Sequence, residues 1–218
     1  TDTALNNVAA QTLTINGNGA TETAAVQVNA SAKTIAGLVN AKTSTTGVTA
    51  TAVTTATLSG VTAGAISFTL QGANATAVAI TATVSDATDL SAIAKAVNAQ
   101  SSLTNITATA DKAGNLVLTD LDGNDIKMVS TQAAAGDGVG TAQLKGIAGA
   151  AATAFGATGL ATVGGKLTFD SKSGFSVETS AVVSLFANAS TGSTMASVAA
   201  VNVSTVAGAN SAIKVVDA

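Results

Sequence analysis

The sequence contains no histidine, cysteine, tryptophan, tyrosine or proline, and all nine of its positively charged residues are lysine. Without histidine there is no Ser-His-Asp or Cys-His arrangement and no imidazole base. Without histidine and cysteine, the usual protein ligands of zinc, copper and iron are also missing. An enzyme would have to work with Asp, Glu, Lys and Ser alone. We therefore expect a protein that is not an enzyme and has no catalytic, cofactor-binding or metal-binding residues.

Positive charge and aromatic rings are both scarce. The net charge is −3, the lysines are dispersed along the chain, and aromatic residues make up 2% of it. Nucleic acids are bound through clustered positive charge and, when single-stranded, through stacking on aromatic rings. Polar residues interrupt every apolar run, so none approaches the ~20 apolar residues of a membrane helix. We expect neither a nucleic acid nor a membrane as a partner.

An internal repeat occupies roughly the first 110 residues. Each copy reads strand, strand, helix, strand, with a Ser/Thr-rich link after the helix. The predicted elements of the first copy are 13–17, 25–28, a helix from Ser31 and 46–53. Those of the second copy are 68–72, 79–84, a helix from about Asp86 and 105–110.

The two helices are the clearest elements of the repeat because each carries one apolar stripe at helical spacing. The stripes are Ile35, Leu38 and Val39 in the first helix, and Leu90, Ile93 and Val97 in the second. Ser31 is a predicted N-cap of the first helix, and Asp86 or Thr88 of the second. Asn40 and Asn98 near the helix ends are predicted to tolerate the left-handed conformation that terminates many helices.

Two acidic groups are the candidates for chemistry. Asp120, Asp122, Asn124 and Asp125 offer the oxygen ligands that calcium prefers. Their spacing lacks the EF-hand pattern, because Gly123 comes too early and no glutamate follows. The alternative is a polar turn joining strands 115–119 and 126–129 into a hairpin. Asp86 and Asp89 could form a carboxylate pair for acid–base work, with helix capping as the alternative.

The rest of the chain is less regular. Residues 131–165 are rich in Gly and Ala and are predicted to be mostly loop with one short strand. Residues 166–169 and 175–178 are predicted to form a hairpin anchored by Phe169 and Phe175. Residues 204–218 have the spacing of a helix that continues past the last residue. Together these elements predict an α+β fold, with antiparallel β-rich subdomains, short covering helices, two related units and a closing β-hairpin.

These patterns resemble the central variable region of bacterial flagellin. Residues 13–17, 32–41 and 46–50 look like the flagellin IN module, and residues 68–110 are similar to a second copy. Residues 165–177 resemble the hairpin that closes the variable region, and residues 198–218 resemble the return into the C-terminal rod helix.

The resemblance implies a division of the chain. Residues 1–10 would connect from the rod, 11–62 and 63–132 would form the two IN-like modules, and 133–203 would hold a Gly/Ala-rich loop and the closing hairpin. Residues 204–218 would begin the rod helix. The first module could also be discontinuous, built from 11–62 and 133–203 with 63–132 inserted. On this interpretation the chain is a fragment of the outer domain.

The resemblance also implies a function. The chain would be a secreted, surface-exposed structural part of the flagellar filament, serving motility, acting as an antigen and displaying glycans. Its partners would be other flagellin subunits, antibodies or surface glycans, and the isolated fragment would be monomeric.

Three alternatives stand beside this interpretation. A filament cap or hook-associated protein is one, since IN modules occur there too. A surface adhesin or glycan-binding module is another, although a carbohydrate site would need an aromatic ring to stack on the sugar. A hydrolase built on carboxylates is the third, and nothing in the sequence pairs the two carboxylates that it would need.

Overall fold

The structure is a computed structural model, and it describes residues 5–131, 142–146, 153–154, 159–181 and 190–193. The helices in these ranges are α1 (Ala32–Asn40), α2 (Thr43–Thr46), α3 (Ser91–Asn98) and α4 (Ser101–Thr104). The strands are β1 (Gln11–Gly17), β2 (Ala20–Val26), β3 (Thr49–Ser59), β4 (Gly64–Gln71), β5 (Val78–Val84), β6 (Thr107–Ala110), β7 (Leu116–Asp120), β8 (Ile126–Ser130), β9 (Gln143–Lys145), β10 (Thr153–Ala154), β11 (Leu160–Val163), β12 (Lys166–Asp170), β13 (Phe175–Thr179) and β14 (Ser190–Gly192).

The strands pair antiparallel in three sheets. The strand orders are β14-β13-β1-β2, then β10-β9-β3-β7-β6 with β12 also paired to β3, and finally β11-β8-β4-β5. Short helices cover these sheets, so the predicted α+β class is confirmed. None of the helices in the described ranges has the length and hydrophobicity to cross a lipid bilayer.

The two copies of the repeat have the same order of elements. The first runs β1, β2, α1, α2, β3, and the second runs β4, β5, α3, α4, β6. The links after the long helices thus contain a four-residue helix in both copies, which the sequence analysis did not predict. Strand β2 also begins earlier than predicted, because Asn18 and Gly19 adopt positive φ and turn the chain back at once.

The start of the second long helix differs from the prediction. Ser31 caps α1 as predicted, since its hydroxyl accepts from the Thr34 amide. In the second copy, Asp86 instead accepts from the amide and hydroxyl of Thr88, both at 2.8 Å, and forms a separate turn. Helix α3 begins only at Ser91, whose amide donates to Asp89 at 2.9 Å.

Each copy packs around its own hydrophobic core, made mainly of aliphatic side chains. The first core includes Leu13, Ile15, Ile35, Val39, Val48 and Val177, with Leu38, Phe169 and Phe175 packed against it. The second core includes Phe68, Leu70, Ile80, Leu90, Ile93, Val97, Ile106 and Leu118. The predicted helix stripes therefore face the cores. Their burial is what holds the short helices on the sheets.

Strand β3 belongs to both cores. Its residues 49–53 pair with β12, whereas residues 54–59 pair with β7 and β9. Ala50 and Ala52 contribute to the first core, and Ala56 and Leu58 contribute to the second. One continuous strand thus links the two copies of the repeat.

Both predicted hairpins are wrong in their pairing, although all four strands exist. Strand β7 pairs with β3 and β6, and β8 pairs with β4 and β11. Similarly, β12 pairs with β3, whereas β13 pairs with β1 and β14. Strand β7 is instead joined to β6 by a short turn, in which the Asp111 carboxylate accepts from the amides of Ala113 and Asn115.

The strands that complete the two copies occupy equivalent places. Strand β7 lies beside β6 as β12 lies beside β3, and β8 lies beside β4 as β13 lies beside β1. Matching hydrogen bonds support this equivalence. The Thr107 hydroxyl donates to the Thr119 carbonyl, and the Thr49 hydroxyl donates to the Asp170 carbonyl. The first copy is therefore completed by strands that follow the second copy in the chain.

The Gly/Ala-rich stretch contains more regular structure than predicted. Three short strands, β9, β10 and β11, lie in the described parts of residues 131–165, where one was expected. The predicted helix over 204–218 lies outside the described residues.

Candidate functional site

The predicted acidic cluster lies where the two copies of the repeat meet. Strand β7 ends at Asp120 and β8 begins at Ile126, and these strands belong to different sheets. Residues 121–125, which we call the crossover, therefore carry the chain from one sheet to another. The cluster is part of a connection between sheets and does not sit at the tip of a hairpin.

The Asp120 side chain organises the crossover from within. It is fully buried. Its Oδ1 accepts from the amides of Asp122 at 2.9 Å and Asn124 at 3.3 Å, and from Asn105 Nδ2 at 3.2 Å. Its Oδ2 accepts from Asn124 Nδ2 at 2.9 Å. Four N–H donors thus satisfy a buried carboxylate.

This arrangement favours the polar-turn alternative over a cation site. Backbone and side-chain N–H groups occupy the Asp120 oxygens that a cation would need. Asp122 is turned to the surface and pairs with Lys33. Across the part of the chain that the structure describes, no group of three or more acidic side chains is placed to hold a metal ion.

The crossover docks on the beginning of α1 in the first copy. The Lys33 amide donates to the Gly123 carbonyl at 2.9 Å, and Lys33 Nζ lies 2.9 Å from Asp122 Oδ2. Gly123 has a φ of 80° and lies so close to Ala52 that an added Cβ would stand 2.3 Å from the Ala52 Cβ. Only glycine fits both this backbone conformation and this contact.

Asn6 adds a second connection between the copies. Its Nδ2 donates to the carbonyls of Asn29 and Ala30 in the first copy and to Asp125 Oδ2 in the second, at 3.1, 3.2 and 2.6 Å. Its Oδ1 accepts from the Val8 amide at 3.0 Å. Residues 5–8 are therefore held between the two copies.

Asp125 is a carboxylate whose environment raises its pKa. Burial raises the pKa of the Asp125 carboxyl above the ordinary 3.8, and the hydrogen bond from Asn6 offsets part of this rise. Its Oδ1 is buried and has no hydrogen-bond partner among the described residues.

The other perturbed carboxylates are exposed. Hydrogen bonds from Thr88, Ser91 and Asn115 lower the pKa values of Asp86, Asp89 and Asp111, respectively. Asp86 and Asp89 each organise a short turn before α3, and neither is the N-cap of that helix, which is Leu90. They do not form the buried pair that acid–base chemistry requires.

A pair of asparagine side chains has a role that differs from the prediction. Asn40 and Asn98 were predicted to terminate their helices in the left-handed conformation, but Gly47 and Asn105 hold that conformation instead. The Asn40 amide group bonds to both the N–H and the C=O of Ala50 on the exit strand, at 2.7 and 2.9 Å. Asn98 does the same with Ala108, also at 2.7 and 2.9 Å. We call these two contacts the asparagine clamps.

Two glycines repeat with the clamps. A Cβ added at Gly17 would lie 2.4 Å from the Thr46 carbonyl oxygen, and one at Gly72 would lie 2.3 Å from that of Thr104. The end of each hairpin thus presses against the end of the short helix in its own copy. Each copy of the repeat therefore has both this close approach and an asparagine clamp.

The outward faces of the sheets are rich in threonine and poor in charge. Exposed threonines on β5 and β6 are Thr81, Thr83, Thr107 and Thr109. These faces offer hydroxyl and methyl groups to solvent.

Comparison with known proteins identifies part of this architecture. Residues 66–122 match the sequence family described as the flagellin hook IN motif. The match begins in β4 and ends in the crossover, so it covers the second copy together with strand β7. Comparison with curated proteins gives no match.

The matched family connects the repeat to flagella. Flagellins are structural proteins that assemble with one another into the extracellular flagellar filament. The duplicated unit and the match over residues 66–122 support a flagellin-type variable region in a flagellin-related component of the filament or hook.

Proposed function

We propose that this chain is the outer, surface-exposed region of a filament subunit, and that its role there is structural and antigenic. The observation that carries the proposal is the flagellin hook IN motif at residues 66–122, whose elements recur in the first copy. The repeat builds its cores mainly from aliphatic side chains, and the sequence has no cysteine that could form a disulfide. Its outward faces would form the surface that antibodies meet.

The division of the chain is part of the same proposal. Residues 1–10 and 204–218 would connect to the rod, and 11–203 would project from the filament. The strand pairing supports a first module interrupted by the second, because β12 and β13 join β3 and β1. In a filament, neighbouring copies of weakly binding surfaces would gain strength through multivalency.

The test is the position of the protein on the cell. Antibodies raised against this chain, imaged with gold by electron microscopy on whole cells, should label the filament shaft along its length. Label confined to the tip or the hook junction would assign the chain to a cap or hook-associated protein. Label elsewhere on the surface would overturn the flagellar proposal and favour an adhesin.

Glycan display is a separate part of the proposal, supported by the exposed threonines of β5 and β6. Whole-protein mass spectrometry of the native protein, with peptide mapping, should find added hexose-sized masses on hydroxyl residues. A native mass equal to that of the unmodified chain would remove this part and leave the structural role untouched.

A further inference from the structure

The contact between Asn6 and Asp125 joins three parts of the chain that lie far apart in sequence. Asn6 belongs to the segment before β1, its carbonyl partners Asn29 and Ala30 precede α1, and Asp125 precedes β8. The same segment is fixed by a backbone bond from the Asn29 amide to the Val8 carbonyl at 2.8 Å. Loss of the Asn6–Asp125 bond would therefore remove a side-chain hydrogen bond between this segment and the second copy.

An ionised Asp125 carboxylate is destabilising at this place. One carboxylate oxygen accepts from Asn6, but the other is buried with no donor among the described residues. Gly164 packs over the contact, since a Cβ there would stand 3.6 Å from the Asn6 Cβ and 3.8 Å from Asp125 Oδ1. A buried charge without full hydrogen bonding costs free energy, which protonation removes.

The charged groups that the structure describes on the crossover and on α1, β8 and β12 are Asp120, Asp122, Lys33, Lys127 and Lys166 among others, and none of them is an influence on the pKa of the Asp125 carboxyl. Asp120 is held by its own turn, and Asp122 pairs with Lys33. Burial and the Asn6 hydrogen bond are the two influences on the pKa of Asp125.

We propose that Asn6 and Asp125 form a proton-sensitive latch between the two copies of the repeat. At neutral pH the cost of burying the Asp125 charge opposes the closed contact. As the pH falls through the folded-state pKa, the carboxyl becomes neutral; its bond with Asn6 is then weaker, but the larger cost of burying the charge is removed, so the closed contact is favoured.

The direction of this pH dependence follows from the linkage between proton binding and folding. Because the folded-state pKa of Asp125 lies above the unfolded value, its contribution to stability is fully present below the unfolded pKa and is lost as pH rises through the folded pKa. This is the reverse of the usual behaviour of a hydrogen-bonded surface carboxylate.

The test uses the whole chain and its Asp125→Asn variant, which removes the charge and keeps an oxygen that can accept from Asn6. Asp122→Asn, on the same crossover but exposed, is the matched control. Hydrogen exchange at the Val8 and Asn29 amides, corrected for intrinsic rates, reports the latch. In the wild type and in Asp122→Asn, protection should rise as the pH falls from 7.5 through the folded-state pKa of Asp125, whereas in Asp125→Asn it should be high and nearly independent of pH.

A second measurement does not depend on the variant's folding. The carboxyl carbon of Asp125 in the wild-type chain, followed by NMR, should titrate above the ordinary 3.8 for this group. Titration at or below that value would overturn the proposal. So would protection of Val8 and Asn29 that stays constant with pH in the wild type.

Discussion

The asparagine clamps make a prediction that can be worked from their geometry. Asn40→Ala and Asn98→Ala each remove two hydrogen bonds to the exit strand, at 2.7 and 2.9 Å in both copies. Their backbone partners belong to Ala50, 4% exposed, and Ala108, 6% exposed. Each truncation thus leaves one N–H and one C=O on a buried residue without a partner.

The expected loss is about 1–2 kcal/mol of unfolding free energy for each clamp. Two hydrogen bonds at a net ~1 kcal/mol each set the scale, and orphaned backbone groups raise it. Two effects reduce it: water can reach these sites, because both asparagine side chains are exposed, and alanine is the better helix former. Since the two clamps serve separate cores, the double variant should lose about the sum of the single losses.

Urea unfolding followed by circular dichroism is the assay, because the chain has no tryptophan or tyrosine to report by fluorescence. Lys95→Ala, at an exposed position on α3, is the control and should change stability by less than about 0.5 kcal/mol. Losses no larger than this control at both Asn40 and Asn98 would refute the reasoning that the clamps hold helix to strand.

Two further predictions concern a glycine and a turn. Gly72→Ala should destabilise the chain by about 1–3 kcal/mol, because its Cβ would lie 2.3 Å from the Thr104 carbonyl oxygen. Gly37 lies on α1 with open space around it, so Gly37→Ala should stabilise the chain by about 0.5–1 kcal/mol. Thermal melts of both variants check this pair, and equal effects would contradict it. Hydrogen bonds from Asn115 and Ala113 lower the pKa of Asp111, so its contribution to stability is present above the ordinary 3.8 and is lost as pH falls through the lower folded value. Asp111→Asn should therefore flatten the acid side of a plot of urea midpoint against pH, and an unchanged acid limb would count against this role.

Local patterns in the sequence predicted the elements that depend on neighbours in the chain. The stripes Ile35–Val39 and Leu90–Val97 face the cores, because their helical spacing needs no knowledge of what they pack against. The Ser31 cap was confirmed for the same reason. The repeat itself was visible because both copies use the same local order of elements.

Strand pairing could not be predicted in this way. The turn residues at 120–125 mark a change of direction, but nothing local says whether the next strand returns to the same sheet. Strand β7 pairs with β3 and strand β8 pairs with β4, and β3 and β4 lie many residues earlier in the chain. The same holds for β12 and β13, whose partners β3 and β1 lie more than a hundred residues away.

The candidate site was predicted only as a set of oxygen-rich residues. Its docking on Lys33 and its contact with Asn6 depend on the mutual placement of two cores. The clamps could have been suggested by one signal, the recurrence of asparagine at the same place after Val39 and Val97. Because asparagine is also common in left-handed turns, that signal was interpreted as a helix terminator.

The shared strand β3 has a genetic consequence. In the second copy, a five-residue turn at 111–115 carries the chain from β6 to β7, whereas in the first copy the chain between the equivalent strands is everything from 54 to 165. The second copy is thus an insertion in one connection of the first, because residues 49–53 of β3 and the strands β1, β2, β12 and β13 all lie outside 54–165. We expect that a gene in which the short turn replaces 54–165 would lose the second copy in a single step.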